Sequence, residues 1–345
     1  MAAKRIRVRL NDQAPWRTLP GASGEKRTEQ ATWEDTVFGQ EFTSEDSGLG
    51  QVTISANAYF KGVAGYTARL RKGGTPTALT DAPTTLLAGK TYQITDATRR
   101  VLDYATATTV RVAGVDQTAN VASVDYLNGT VTFIDTYTPT TAPTITGMYV
   151  PLVTLGAARG FTLTQTAAEI EDTTYEKAQA NNGWRTFYAG LKTVRFEASG
   201  IYDAADDFLT QMNTRALAYI EVSPNNSNNT VFRGFFKRAA HGQSGNVGAL
   251  EESTMTFNLW VPDGSLVASP FQWYFNGSTL NQAVQDVLNA WQTGSRDLDV
   301  QYLPDGLKGT QHDAIVTECS LTNAIDGQNE FSFTFRGDGA PVAVA

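Results

Sequence analysis

Phe161-Thr162-Leu163-Thr164-Gln165-Thr166, Glu171-Asp172-Thr173-Thr174, Gly183-Trp184-Arg185 and Gly190-Leu191-Lys192-Thr193-Val194-Arg195-Phe196-Glu197-Ala198 follow one another in a single stretch, and its reading decides the fold. Apolar and polar residues alternate in its first and last parts, the period of two expected of a strand with one buried face. Downstream, the spacing predicts an amphipathic helix over about 204–215, a strand from Tyr219 to Val222 and a closing strand from Thr254 to Trp260. Residues 161–264 thus read as a strand-helix-strand unit, and nothing in their order resembles a catalytic arrangement.

Self-comparison finds this unit twice. Gly48-Leu49, Val52, Ile54, Ala56 and Phe60 align at an offset of 142 with Gly190-Leu191, Val194, Phe196, Ala198 and Tyr202, and Glu34-Asp35-Thr36 aligns with Glu171-Asp172-Thr173 at 137. Toward the C-terminus, Phe208, Ile220, Val222 and Pro224 align at an offset of 80 with Leu288, Val300, Tyr302 and Pro304. Either one unit is split and wrapped around an intact copy of itself, or alternating strands merely resemble one another. The shared order of elements favours duplication.

The rest of the chain fits around that frame. Residues 1–30 hold Ile6-Arg7-Val8-Arg9-Leu10, a candidate edge strand, within an arm whose basic residues suit an acidic neighbouring subunit better than nucleic acid. Gly73-Gly74-Thr75-Pro76 reads as a linker into a Thr- and Ala-rich all-β module, where Leu127-Asn128-Gly129 between alternating runs predicts a type I′ hairpin. After Phe271 to Phe275, a helix over Leu280 to Trp291 is expected, capped by Ser278 or Thr279, with Ala283, Val284, Val287, Leu288 and Trp291 on one face. The final strand places Phe331, Phe333 and Phe335 on one side. The predicted fold class is mainly β, with a flanking helix on each of two larger units.

Chemistry is conspicuous by its lack of material. At 345 residues with 41% hydrophobic content the chain can build two or three cores, yet it has one cysteine, Cys319, and two histidines, His241 and His312. A lone cysteine rules out an internal disulfide and suits a reducing compartment; Cys319 reads as a small strand residue, and the histidines read as surface loop residues. No nucleotide-binding, zinc-protease, hydrolase or calcium-loop spacing occurs, so no catalytic, cofactor or metal residue is assigned. Asp203, Asp206 and Asp207 fall where acidic side chains cap a helix N-terminus, and Glu169, Glu171 and Asp172, like Glu251 and Glu252, read as solvated or salt-bridging groups. The polar run Asn225 to Thr230 reads as a loop. No apolar run is long enough to span a bilayer, and no secretory signal is expected. Formal charge is −8, but residues 1–30 carry seven basic against three acidic residues, +4, which leaves −12 for the remainder. An acidic body does not grip phosphate backbones.

Together these runs, with Ser199-Gly200-Ile201-Tyr202-Asp203 and the closing Glu330-Phe331-Ser332-Phe333-Thr334-Phe335-Arg336-Gly337-Asp338-Gly339, resemble the major tail tube proteins of long-tailed bacteriophages over about 31–339. The resemblance implies β-sandwich or barrel-like tube domains with a flanking helix, joined edge to edge in rings that stack into the channel for DNA ejection. It implies two tube domains here, 31–72 plus 265–340 and 153–264, besides the arm at 1–30 and the β insertion at 73–152. It further implies trimeric rings with pseudo-sixfold symmetry, and tail terminator, tail tip and tape-measure partners. On the same resemblance DNA is expected to pass without sequence-specific binding and without a membrane, and the protein is expected to be made in the host bacterial cytoplasm and to reside in the virion. A carbohydrate- or receptor-binding β-module is the competing reading and requires an exposed aromatic platform, with Trp184 or Trp273 as candidates. A glycosidase is a third, but its two carboxylates cannot be picked from 35 acidic residues.

Overall fold

The period-two runs become long antiparallel strands, and their apolar sides form the core. In a computed structural model of the chain, residues 4–11, 13–21, 23–34, 45–60, 69–154, 158–201, 216–224, 230–244, 252–261, 270–275, 280–324 and 329–345 are described. The predicted helix at 204–215, Asp203, Asp206, Asp207, Glu251, Ser278, Thr279 and most of the Asn225 to Thr230 loop lie outside the described residues. The chain divides into two units, Met1–Thr67 with Gly160–Glu197 and Phe275–Ala345, and Ala68–Arg159 with Ala198–Tyr274. Strands are numbered β1 to β23 in chain order.

The first unit contains β1 (Arg5–Leu10), β2 (Arg17–Thr18), β3 (Ser23–Glu34), β4 (Glu45–Phe60), β14 (Ala158–Glu171) and β15 (Phe187–Ile201), the last as far as Glu197. Its C-terminal part supplies β20 (Leu298–Leu303), β21 (Gly309–Ala324), β22 (Asn329–Gly337) and β23 (Val342–Val344). The strands run in the order β3-β4-β22-β21-β14, and β20, β1 and β2 continue from the first half of β21. Val52, Ile54 and Ala56, Phe331, Phe333 and Phe335, and Leu163 and Leu321 are buried together on the inner face, as their alternation predicts. Helix α1 (Tyr175–Ala180) is capped by Thr174, whose hydroxyl accepts from the Lys177 amide. Helix α2 (Gln282–Thr293) buries Ala283, Val284, Val287, Leu288 and Trp291. Its N-cap is Asn281, two residues beyond Thr279 and three beyond Ser278, with the side-chain carbonyl accepting from the Ala283 amide at 2.8 Å.

In the second unit, β5 (Arg69–Gly73), β13 (Leu152–Thr154), β16 (Ala218–Ser223), β17 (Thr230–Ser244) and β18 (Glu252–Leu259) form a sheet ordered β13-β5-β16-β17-β18, and β19 (Phe271–Phe275) also pairs with β17. The expected linker at Gly73 is instead the end of β5: it must be glycine because a Cβ there would stand 2.6 Å from Val150 Cγ1. The inserted module comprises β6 (Thr77–Ala88), β7 (Thr91–Ile94), β8 (Thr109–Val112), β9 (Val115–Asp116), β10 (Val121–Asp125), β11 (Thr130–Phe133) and β12 (Thr144–Tyr149). They follow the order β10-β11-β7-β6-β12-β8-β9 around a core that includes Leu79, Ile94, Val110, Val131, Phe133 and Ile145. The hairpin at Asn128-Gly129 differs from a two-residue type I′ turn. Asp125 pairs with Thr130 across a four-residue loop, and only Gly129 has positive φ, 60°. Asp125 Oδ1 accepts from the amides of Leu127 and Asn128, an Asx turn that displaces the tighter geometry.

Candidate functional site

Two features of these sheets can serve a function: the polar face of the first unit and the strand edges. Cross-strand pairing builds the face in rows. Thr166, Glu318, Thr334, Ser55 and Glu25 stand side by side across β14, β21, β22, β4 and β3, and Thr164, Ser320, Ser332, Asn57 and Ser23 form the next row. Arg336 anchors a third, donating to Thr53 Oγ1 at 2.8 Å and Gln51 Oε1 at 2.6 Å, with its Nε 3.3 Å from Glu169. Among the described residues the charged groups named on this face are six carboxylates, Glu25, Glu29, Glu169, Glu197, Glu318 and Glu330, and three guanidinium groups, Arg27, Arg195 and Arg336, a balance of three negative charges. Such a surface offers hydroxyls and carboxylates and gives phosphate little to bind.

The edges carry the signature of duplication. β16 pairs with β17 and β20 with β21 in the same manner, Ala218 opposite Phe236 and Leu298 opposite Ala314. The β17–β18 ladder runs from Phe236 opposite Leu259 and is bulged between Arg238 and Ala240. The β21–β22 ladder runs from Ala314 opposite Gly337 and is bulged between Val316 and Glu318. Both register and bulge coincide at an offset of 78. A bulge costs ladder hydrogen bonds and bends the strand, so its recurrence at one position in two copies is a specific feature. The N-terminal pairs match as well. Gln51 Nε2 donates to Glu29 across β3 and β4 at 2.7 Å, and the Thr193 and Thr166 hydroxyls bond across β15 and β14 at 2.6 Å, at the offsets 142 and 137 found in sequence. A Cβ on Gly48 would meet the Ala31 carbonyl at 3.0 Å, and one on Gly190 the Ala168 carbonyl at 3.1 Å.

A buried charge cluster holds the inserted module in the second unit. Glu221, 1% exposed, sits amid β16 with Arg69 and Arg71 of β5, and accepts from Arg233 Nε at 2.8 Å. Arg233 also donates to Asn128 Oδ1 at 2.9 Å, and Asn128 donates to Asp125 and to Gln272 Oε1. Burial raises the Asp125 pKa against the lowering by its Asn128 hydrogen bond and by Arg233. This cluster was missed in sequence; its signal is the charge inside Tyr219-Ile220-Glu221-Val222, an otherwise apolar strand.

The residues singled out in sequence are paired locally. Glu169 contacts Arg336, Glu171 contacts Arg185 and Asp172 contacts Lys177, all within the chain. Burial opposes ionisation of Asp172, but hydrogen bonds from Lys177, Thr186 and Tyr188 outweigh it and bring its pKa to about 2. Glu252 is exposed on β18. The histidines are not in loops. His312, 2% exposed, lies in β21 and His241 is half-buried in β17, because the Gly and polar neighbours that suggested loops, Gly309 to Gln311 and Gly242 to Ser244, are themselves paired strand residues. Desolvation, reinforced by nearby Lys26, lowers the His312 pKa to about 4. Cys319 is buried on β21, where burial raises its thiol pKa. Arg9 and Arg17 of the N-terminal segment pair within the chain with Asp299 and Asp286. Among the described residues no group of three His, Cys, Asp or Glu is disposed to hold a metal ion, and no helix is long and apolar enough to cross a membrane. A cavity of about 620 Å³ in the second unit is lined by Lys72, Tyr104, Tyr219, Phe235 and Arg238, among others.

Fold and edges together define a mainly β protein in which register and bulge recur in two sets of strands, with a separate seven-stranded sheet between β5 and β13. No protein-family model and no curated protein matches the chain. Among solved structures it is similar to a chain from the tail of an empty gene transfer agent particle with C6 symmetry, at 15% identity over 36% of this chain and 86% of that one, TM-score 0.29. It is also similar to a chain from the virion of a native gene transfer agent particle, at 13% identity over 35% and 88%, TM-score 0.29.

Proposed function

We propose that the chain is the subunit of a bacteriophage tail tube, which joins its sheets edge to edge with other copies, stacks as rings and leaves a channel for DNA. The observation that carries this reading is the recurrence of register, bulge and facing glycine in two copies of one strand unit. Two copies of the unit that meet edge to edge inside the chain leave a complementary pair of edges at the ends, and two complementary edges per copy are what ring closure by identical contacts requires. The resemblance of the strand motifs to tail tube proteins supports the same reading. It extends to two tube domains, 31–72 with 265–340 and 153–264, with the module at 73–152 on the outside of the tube and trimers arranged with pseudo-sixfold symmetry. Terminator, tip and tape-measure proteins are the remaining partners, and the virion is the site of action.

The mechanism is passive. No bond is made or broken; a polar face carrying net negative charge, turned toward the lumen, keeps a polyanion from adhering while it slides. The carbohydrate-binding alternative loses its platform at Trp273, which is 3% exposed and packs edge-on against Phe232 at 5.5 Å. Sedimentation velocity over a hundredfold range of protein concentration tests the proposal: discrete ring-sized and larger species are expected, and a single monomer boundary throughout counts against it.

A further inference from the structure

The chain contains one complete junction between its two copies and the two loose ends of another. Inside the first unit, β14 of the intact copy pairs with β21 of the split copy: Thr162 opposite Thr322, Thr164 opposite Ser320, Gln165 opposite Cys319 and Thr166 opposite Glu318. The counterpart of β14 is β3, at the offset of 137, and the counterpart of β21 is β17, at 78. Neither counterpart has that neighbour. Among the described residues β3 pairs with β4 alone, and β17 from Lys237 to Ser244 pairs with β18 alone, since β16 reaches only to Phe236.

Burial follows the same division. Phe161, Leu163, Gln165, Cys319 and Leu321 are buried at the occupied junction, whereas the counterparts Lys26, Thr28, His241 and Gln243 are exposed or half-buried. An unpaired strand edge is a template for another strand, and charged residues along it keep it soluble until the proper partner arrives. Here Glu25, Lys26, Arg27 and Glu29 lie on one edge and Lys237 and Arg238 on the other.

We propose that β3 of one copy pairs antiparallel with the Lys237–Ser244 half of β17 in a second copy. The register, transferred from the junction inside the chain, sets Glu25 opposite Ser244, Arg27 opposite Gly242, Thr28 opposite His241 and Glu29 opposite Ala240. The two edges differ, so the contact is head-to-tail, the kind that generates a ring where the rotation between copies closes. The inference rests on the assembly reading above and adds to it the surfaces and the register. A one-residue slip would turn every side chain of β3 to the opposite face, so the register is testable by itself.

Cysteine cross-linking of the full chain is the test. T28C/H241C and E29C/A240C are matched pairs on opposite faces, and T28C/A240C is slipped by one residue. With mild oxidation of assembled protein, most chains of at least one matched variant are expected to migrate as disulfide-linked dimers and trimers on a non-reducing gel. The slipped variant stays monomeric, as do all variants when oxidised below the assembly concentration. If the wild type fails to assemble, the tube reading and this inference fall together. If it assembles but neither matched pair links, or the slipped pair links more strongly, the register is wrong while the tube reading stands.

Discussion

His312 illustrates how a single residue in a strand can set the acid limit of a fold. Its ring lies buried in β21, with Nε2 3.0 Å from the Thr310 hydroxyl, to which Lys26 also donates. The folded pKa of about 4 lies below the ordinary 6.5, so between these values the unfolded chain binds the extra proton. Stability is therefore full above about pH 6.5 and declines as pH falls toward 4, by roughly 3 kcal/mol in total. Urea unfolding at pH 7 and 4.5 should show this loss in the wild type and most of it abolished in H312Q; equal losses would remove His312 as the cause. Arg233 is the corresponding test of the buried cluster. R233A removes the hydrogen bonds to Glu221 and Asn128 and should cost on the order of 3 kcal/mol, because Glu221 stays buried with fewer donors. A loss below about 0.5 kcal/mol in thermal or urea unfolding would contradict that. N281A, which deletes the α2 cap, should cost about 1 kcal/mol in the same assay. Neither histidine was legible as a strand residue, since consecutive Gly and polar neighbours look the same in a loop and along a paired strand without an apolar face.

At the scale of the element, strands whose faces differ were the most legible. Phe331, Phe333 and Phe335 could be assigned from alternation alone, and they line the core beside Ile54 and Ala56. F333A should therefore cost about 3–5 kcal/mol, whereas T334A, on the polar face, should stay within about 0.5 kcal/mol. Comparable losses for both would mean that the strand is not one-sided. Helix α2 was legible from its apolar spacing but its cap was not, because Ser278, Thr279 and Asn281 are all good caps and only the backbone decides among them. The strand β5 was hidden by Gly73-Gly74-Thr75-Pro76, where glycine marks close packing against Val150 rather than a flexible joint. The offset of 78 was also hidden. Self-comparison found 80 for the helix and first strand, and the difference of two arises in the hairpin loop between β16 and β17 relative to that between β20 and β21. Register and bulge are properties of pairing, which single-strand patterns do not carry.

For the whole molecule, the register and bulge that recur at an offset of 78, and the edges of β3 and β17 that have no neighbouring strand among the described residues, are the features on which the proposed assembly rests. The proposed edge pairing between copies would make assembly steeply dependent on concentration, and the charged edges would make it dependent on salt. The most direct measurement is negative-stain electron microscopy of the purified full chain, concentrated stepwise at low and moderate salt. Rings or hollow tubes of uniform diameter, with an open centre, are the predicted result. Monomeric particles at every concentration and salt, or filaments without a channel, would contradict it.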